Sequence, residues 1–354
     1  MSAPLRVHLA LVGFGHVGRR FASLLDERRD ALLIQYGLDC RIVGMATRQN
    51  GATFNSHGID PGARTSVRPR TPGPGAAFEI IEQLGHSDAD LRVVVETTTL
   101  DISAGQPSID HVRAGIGAGC HVITANKGPV AFAYSSLSRE AAAAGVSFLF
   151  EGAVMDGIPV FNLVRETLPL VGIAGFRGVV NSTTNHILTA MEHGDAFAAA
   201  LSRMQAEGIA EADASLDIDG WDAAAKTAAL ANVLLDAEIS PPDVHRVGIT
   251  ESDGVRARQA HAAGRRLRLV ASAVRDRNGR VAARVEPIEL PASDLLAGLE
   301  GKANALLLQT HLLGEIAICQ LEGHLTHTAY ALLSDLVTVG RRSAPLEAPA
   351  RRIL

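Results

Sequence analysis

Residues 7–12 form a short apolar run broken only by His8, the pattern of a buried strand. Glycines follow at 13, 15 and 18. Val17, Phe21, Leu24 and Leu25 then recur at spacings of three and four, the stripe of a helix. Similar strand and helix patterns follow downstream. Residues 41–46 predict a second strand, residues 55–75 a loop rich in Gly, Pro and Ser, and residues 91–97 a third strand. Residues 109–118 predict a helix, residues 120–124 a fourth strand, and residues 146–150 a further apolar run. Strands separated by helices imply parallel pairing through crossovers, so the expected class is α/β with a Rossmann-type doubly wound parallel sheet.

The texture changes after residue 150. Residues 176–185 predict a strand entering a polar turn, and residues 195–207 and 221–236 predict helices. Residues 267–274 and 281–289 predict antiparallel strands joined by Asp276-Arg277-Asn278-Gly279, because Asn-Gly between apolar runs favours a hairpin. This half is expected to be α+β. One more helix is expected over 326–339. The tail 341–354, with two prolines and four arginines, is expected to be poorly ordered.

Composition narrows the class. The chain is 47% apolar and 20% charged, which is ordinary globular usage and excludes a disordered chain. Only 4% is aromatic, while Ala runs occur at 141–144 and 223–225, so the core is expected to rest on aliphatic and small side chains. The net charge of -5, from 33 basic and 38 acidic residues, lacks the basic excess of a nucleic-acid partner. No segment is long and apolar enough to span a membrane, and the first apolar run ends at Gly13, too soon for a signal peptide. The three cysteines, Cys40, Cys120 and Cys319, are far apart and odd in number, so a disulfide framework is not expected and the cytoplasm is the expected location.

Three groups of residues carry candidate chemistry. Gly13-Phe14-Gly15-His16-Val17-Gly18 fits the dinucleotide fingerprint, between a predicted strand and a predicted helix. The first glycine permits the tight turn, the second lets the backbone approach a pyrophosphate, and the third lets helix and strand pack closely. After the second strand the chain reads Ala46-Thr47-Arg48-Gln49-Asn50, with no acid to take ribose hydroxyls. Arg48 is suited to a 2′-phosphate, so NADP(H) is favoured and NAD(H) stays open; a solvated Arg48 is the alternative. Lys127 follows the fourth strand, at the edge of the sheet where ligands bind in open α/β folds. Asp222 and Lys226 sit at i and i+4 on one face of a predicted helix, where a carboxylate can orient an amine for proton transfer. An ordinary surface ion pair is the competing reading of that spacing.

Together with several further segments, these residues resemble homoserine dehydrogenase. The resemblance runs from the glycine loop through Ala125-Asn126-Lys127, residues 151–159 (EGAVMDGIP) and residues 178–188 (GVVNSTTNHIL). It continues through the acidic stretch 211–226, Gly248-Ile249-Thr250 and Gly301-Lys302-Ala303-Asn304-Ala305. It implies reversible NAD(P)-dependent reduction of aspartate semialdehyde to homoserine, a small-molecule substrate. It further implies Lys226 as the acid/base with Asp222 as its partner, and Lys127 near the nicotinamide as the competing proton donor. Glu211 would bind the substrate amino group with help from Asp217, Thr183 would help hold the substrate, and Thr98 would contact the cofactor. The Glu151 side chain and the backbone oxygens of Val154, Asp156 and Ile158 would hold a monovalent cation, Na or K. The implied organisation is a dinucleotide-binding domain over 1–145, completed by a C-terminal helix at about 305–340, and a substrate-binding and dimerisation domain over 146–304. A homodimer is expected. A C-terminal regulatory domain is not expected, because the core uses all but the tail.

The chain departs from the family pattern near its end. A glycine-rich loop is expected before the last helix, and residues 320–329 instead read QLEGHLTHTA. His311, Leu216 and Trp221 also stand where the family has other residues. His324 and His327 alone do not make a metal site. A related oxidoreductase for another small polar carbonyl or alcohol, and a non-catalytic nucleotide-binding protein, therefore remain as alternatives.

Overall fold

The computed structural model describes residues 3–60, 73, 75–206 and 213–343. The first half contains β1 (Leu5–Val12), α1 (His16–Glu27), α2 (Arg29–Tyr36), β2 (Leu38–Thr47), β3 (Gly51–Phe54), α3 (Ala76–Gly85), β4 (Leu91–Glu96), α4 (Ser108–Gly117), β5 (His121–Thr124), α5 (Lys127–Ala143) and β6 (Phe148–Leu149), of which α2, β3, α3 and α5 go beyond the predicted elements. These strands form a six-stranded sheet in the order β3-β2-β1-β4-β5-β6. All neighbours are parallel except β3, which folds back on β2. The strand order reverses at β1, so the loop after it lies at the crevice where such sheets take ligands.

The second half contains β7 (Ile173–Val179), α6 (Ser182–Glu192), α7 (Phe197–Ala206), α8 (Ser215–Ile218), α9 (Trp221–Leu234), β8 (His245–Arg246), α10 (Asp253–Ala262), β9 (Arg265–Arg275), β10 (Val281–Pro291), β11 (Asn304–Thr310), β12 (Gly314–Gln320) and α11 (Leu325–Ser343). The second sheet runs β12-β11-β7-β9-β10-β8 and is antiparallel except at β8. The predicted hairpin joins β9 to β10. Asp276 Oδ1 accepts the N–H groups of Asn278 and Arg280 at 2.8 and 2.9 Å, and Gly279 takes φ +82°.

Two expectations change near the end of the chain. Residues 304–320 are strands of the second sheet, and the helix that returns to the first sheet begins only at Leu325. It buries Leu332, Leu336 and Val339 with Phe21, Leu24 and Leu25 of α1. Arg341 to Ser343 form its last turn; the rest of the predicted tail, 344–354, lies outside the described residues. Residues 182–185, expected as a turn, open α6 instead, because Asn181 caps it through its side-chain oxygen.

The two halves share one core. Buried residues of α3, α4 and α5 continue without a break into α6, α9 and the inner face of β9. In α9 six of the nine buried positions are Ala, at 223–225, 228, 229 and 231, which lets α5 approach closely. Among the described residues no helix is long and apolar enough to cross a membrane.

Candidate active site

The phosphate loop has the geometry its glycines require. Gly13 takes φ +90°, and a Cβ there would lie 2.7 Å from the Thr97 carbonyl carbon and oxygen. A Cβ on Gly15 would meet nothing within 4 Å, so the backbone is open where a pyrophosphate must approach. Phe14 completes the turn. His16 and Val17 begin α1 with no side-chain cap, leaving its first N–H groups for an anion. Gly18 packs against the Gly13 carbonyl. These features fit a dinucleotide. Arg48 is exposed, two residues past Ala46, whose carbonyl accepts the Gly13 N–H at 2.9 Å. Thr98 follows β4 beside the loop, with its N–H and hydroxyl both donated to Glu96.

Asp222 is the centre of a second cluster. Its Oδ2 accepts from Lys226 Nζ at 2.9 Å, and its Oδ1 lies 3.3 Å from Lys127 Nζ. The i,i+4 spacing on α9 supplies the first contact, and the packing of α5 on α9 supplies the second. Lys226 Nζ also donates to the Val180 carbonyl at 2.7 Å. Asn181, not predicted as a site residue, donates from Nδ2 to Asp217 Oδ1 at 2.7 Å and to Asp222 Oδ2 at 2.9 Å. It thereby couples α8 to α9 while its oxygen caps α6. Thr183 lies in the first turn of α6, close enough to Asp217 to lower its carboxyl. Glu211 lies outside the described residues.

The charges follow from these contacts. Burial alone would raise the Asp222 carboxyl, but Lys226 and Lys127 outweigh burial and hold it below the usual carboxylate range. Burial would lower Lys226, but Asp222, Asp156 and Asp217 outweigh burial and hold it above its usual value. Asp217 is raised by burial and by the Asp222 charge. The site therefore holds an ammonium beside a stable carboxylate.

The segment after β6 borders this cluster. Glu151 Oε1 accepts the N–H groups of Val160 and Phe161 at 2.6 and 3.0 Å, and Oε2 accepts that of Asn162 at 2.5 Å. Met155 and Asp156 both have positive φ, 53° and 52°. Among the described residues no hydrogen bond reaches the backbone oxygens of Val154, Asp156 or Ile158. The loop 320–328 docks here: Gln320 Nε2 and Thr328 Oγ1 donate to Asp156 at 3.3 and 3.2 Å. A Cβ on Gly157 would lie 2.2 Å from the His327 carbonyl oxygen, so only glycine admits this approach. The altered loop thus packs on the segment after β6, and the tilted rings of His324 and His327 lie 3.9 Å apart.

Known proteins agree with this arrangement. A family model described as homoserine dehydrogenase matches residues 159–337, and its NAD binding domain matches residues 13–151. The chain belongs to the homoserine dehydrogenase family. It is 36% identical to the NAD(+)-dependent homoserine dehydrogenase of Pseudomonas canavaninivorans, over 94% of this chain and 95% of that one. It is 33% identical to the homoserine dehydrogenase of Methanocaldococcus jannaschii, over 94% and 98%. The crystal structure of the Thiobacillus denitrificans homoserine dehydrogenase superposes with a TM-score of 0.82 at 29% identity, covering 100% of this chain and 77% of that one. The family is one of NAD(P)-dependent oxidoreductases that reduce aspartate semialdehyde to homoserine.

Proposed function

We propose that Lys226 is the acid/base of this reaction and that Asp222 fixes its orientation and charge. The observation that carries this reading is the single carboxyl group of Asp222, shared by Lys226 and Lys127 at the junction of the two halves. The bound nicotinamide supplies the hydride. Lys226 donates its proton to the aldehyde oxygen, and its charge offsets the negative charge developing there. In the reverse direction it accepts the homoserine hydroxyl proton. Lys127, at the head of α5, is the second candidate for the proton. Asp217, Thr183 and Glu211 bind the substrate, whose cationic amino group calls for acids.

The proposed cofactor is NADP(H). No acid occupies residues 46–50, and Arg48 is exposed beside the phosphate loop. The Pseudomonas relative, named for NAD(+), makes this the point to measure. Homoserine oxidation should be about tenfold more efficient with NADP than with NAD, and Arg48→Ala should remove that margin, as expected for one charge-assisted contact. Equal efficiencies, unaffected by Arg48→Ala, would refute the preference.

A monovalent cation is proposed at Glu151 and the backbone oxygens of Val154, Asp156 and Ile158, supported by those unpaired carbonyls and the positive-φ turn. A cytoplasmic homodimer is also proposed. The hairpin tip supports association, since Leu312 and Leu313 are 71% and 59% exposed.

A further inference from the structure

Glu96, the last residue of β4, is completely buried and takes no part in the chemistry above. A buried carboxyl group is costly unless its hydrogen bonds are made. Here they form a closed ring. Oε1 accepts the Thr98 N–H at 2.9 Å and the Thr98 hydroxyl, and Oε2 accepts the Thr124 hydroxyl at 2.8 Å. Thr124 Oγ1 accepts the Asn126 N–H at 2.9 Å. Asn126 Nδ2 returns to the Thr98 carbonyl at 3.0 Å, and its Oδ1 caps α5 by accepting the Gly128 N–H at 2.9 Å. Glu96 and Thr124 are register partners at the ends of two neighbouring parallel strands.

The ring touches both halves of the reaction centre. On one side Thr97 Oγ1 donates to the Gly13 carbonyl at 3.0 Å, so the Thr97–Thr98 backbone braces the phosphate loop. On the other side the Asn126 cap starts the helix whose first residue is Lys127, 3.3 Å from Asp222. Satisfied buried polar networks hold one geometry more firmly than apolar packing does.

We propose that Glu96 is a positioning residue, which fixes the distance between the phosphate loop and the Lys127–Asp222–Lys226 cluster. The inference rests on reading that cluster as the proton-transfer site. Glu96→Gln keeps the volume but puts an N–H₂ group where one of two acceptor oxygens stands. Thr124→Val keeps shape and removes one joint of the ring; Thr124→Ser keeps the hydroxyl.

The test is homoserine oxidation with NADP, with thermal midpoints and NADPH dissociation constants measured on the same samples. Glu96→Gln and Thr124→Val should each lower kcat about tenfold or more, with the homoserine KM within about twofold of wild type. Thr124→Ser should recover most of the rate. The double variant should be no slower than the slower single variant, because both break one ring. Unchanged kcat in either single variant, or losses of kcat that only follow the folded fraction, would overturn the proposal. If wild type itself does not turn over homoserine, the proton-transfer reading fails separately. The NADPH constants then decide: weaker binding in Glu96→Gln supports positioning of the phosphate loop, and equal binding overturns it.

Discussion

Asp222 with its lysines and Asp335 with Glu151 hold their protons oppositely. Asp222 is held low because two ammonium groups reach it. Asp335 of α11 is pushed up to about 7, first by burial and then by the charge of Glu151. Glu151 is itself raised by burial, although three backbone N–H groups bond it. Among the described residues Asp335 accepts the Glu151 N–H at 2.8 Å and the Asn162 side-chain amide at 3.2 Å. The amide donors favour the carboxylate but do not outweigh burial here, whereas the two ammonium groups at Asp222 do. The lysines therefore make a charged centre, whereas Asp335 beside Glu151 is an acid whose charged form is disfavoured.

Asp222→Asn should show the difference most strongly, lowering kcat at neutral pH by about 100-fold, within the usual range for acid–base groups. Its pH profile sharpens the point. Lys226 is held above its ordinary value, so homoserine oxidation, which needs the free amine, should rise with pH into the alkaline range. Removing the Asp222 charge should move that limb toward lower pH. A lower rate with an unmoved limb would mean that Asp222 does not set the lysine proton. Asn181→Ala should come next. It unlinks Asp217 from Asp222 and removes a helix cap, so the homoserine KM should rise about tenfold and the thermal midpoint should fall. An unchanged KM would show that the link has no part in binding.

The smallest effect belongs to the acid pair. Asp335 titrates near 7 in the fold and near about 4 in an unfolded chain. The folded state holds the extra proton between those values, so this contribution to stability is full below about pH 4 and is lost as pH rises through about 7. Asp335→Asn cannot ionise but loses one acceptor, which costs about 1 kcal/mol. The thermal midpoint of wild type should fall relative to that of the variant from about pH 5 to about pH 8, in buffer free of alkali cations. A constant gap would show that Asp335 does not titrate in this range.

Much of the first half was legible because its strands are continuous apolar runs and its glycines fall where a turn demands them. The Asp222–Lys226 pair was legible from spacing. Its link to Lys127 came through the family resemblance, since 95 residues separate the two and only the packing of α5 on α9 joins them. Asn181 and Glu96 escaped because an amide or an acid at a strand end carries no periodic signal; their importance lies in partners remote in sequence. β11 and β12 were mistaken for part of the closing helix. β11 reads as one apolar run, which length and periodicity alone do not separate from a buried helix. α10 was missed because it buries only Gly254, Ala257 and Ala260, too small to make a stripe.

The most direct test is NADP-linked oxidation of homoserine by wild type and Lys226→Met side by side, with the NADPH dissociation constant measured for both. Turnover by wild type, a kcat lower by about 1,000-fold in the variant and unchanged NADPH binding are the predicted results. A variant that keeps most of its rate would move the proton transfer away from Lys226 and contradict the account.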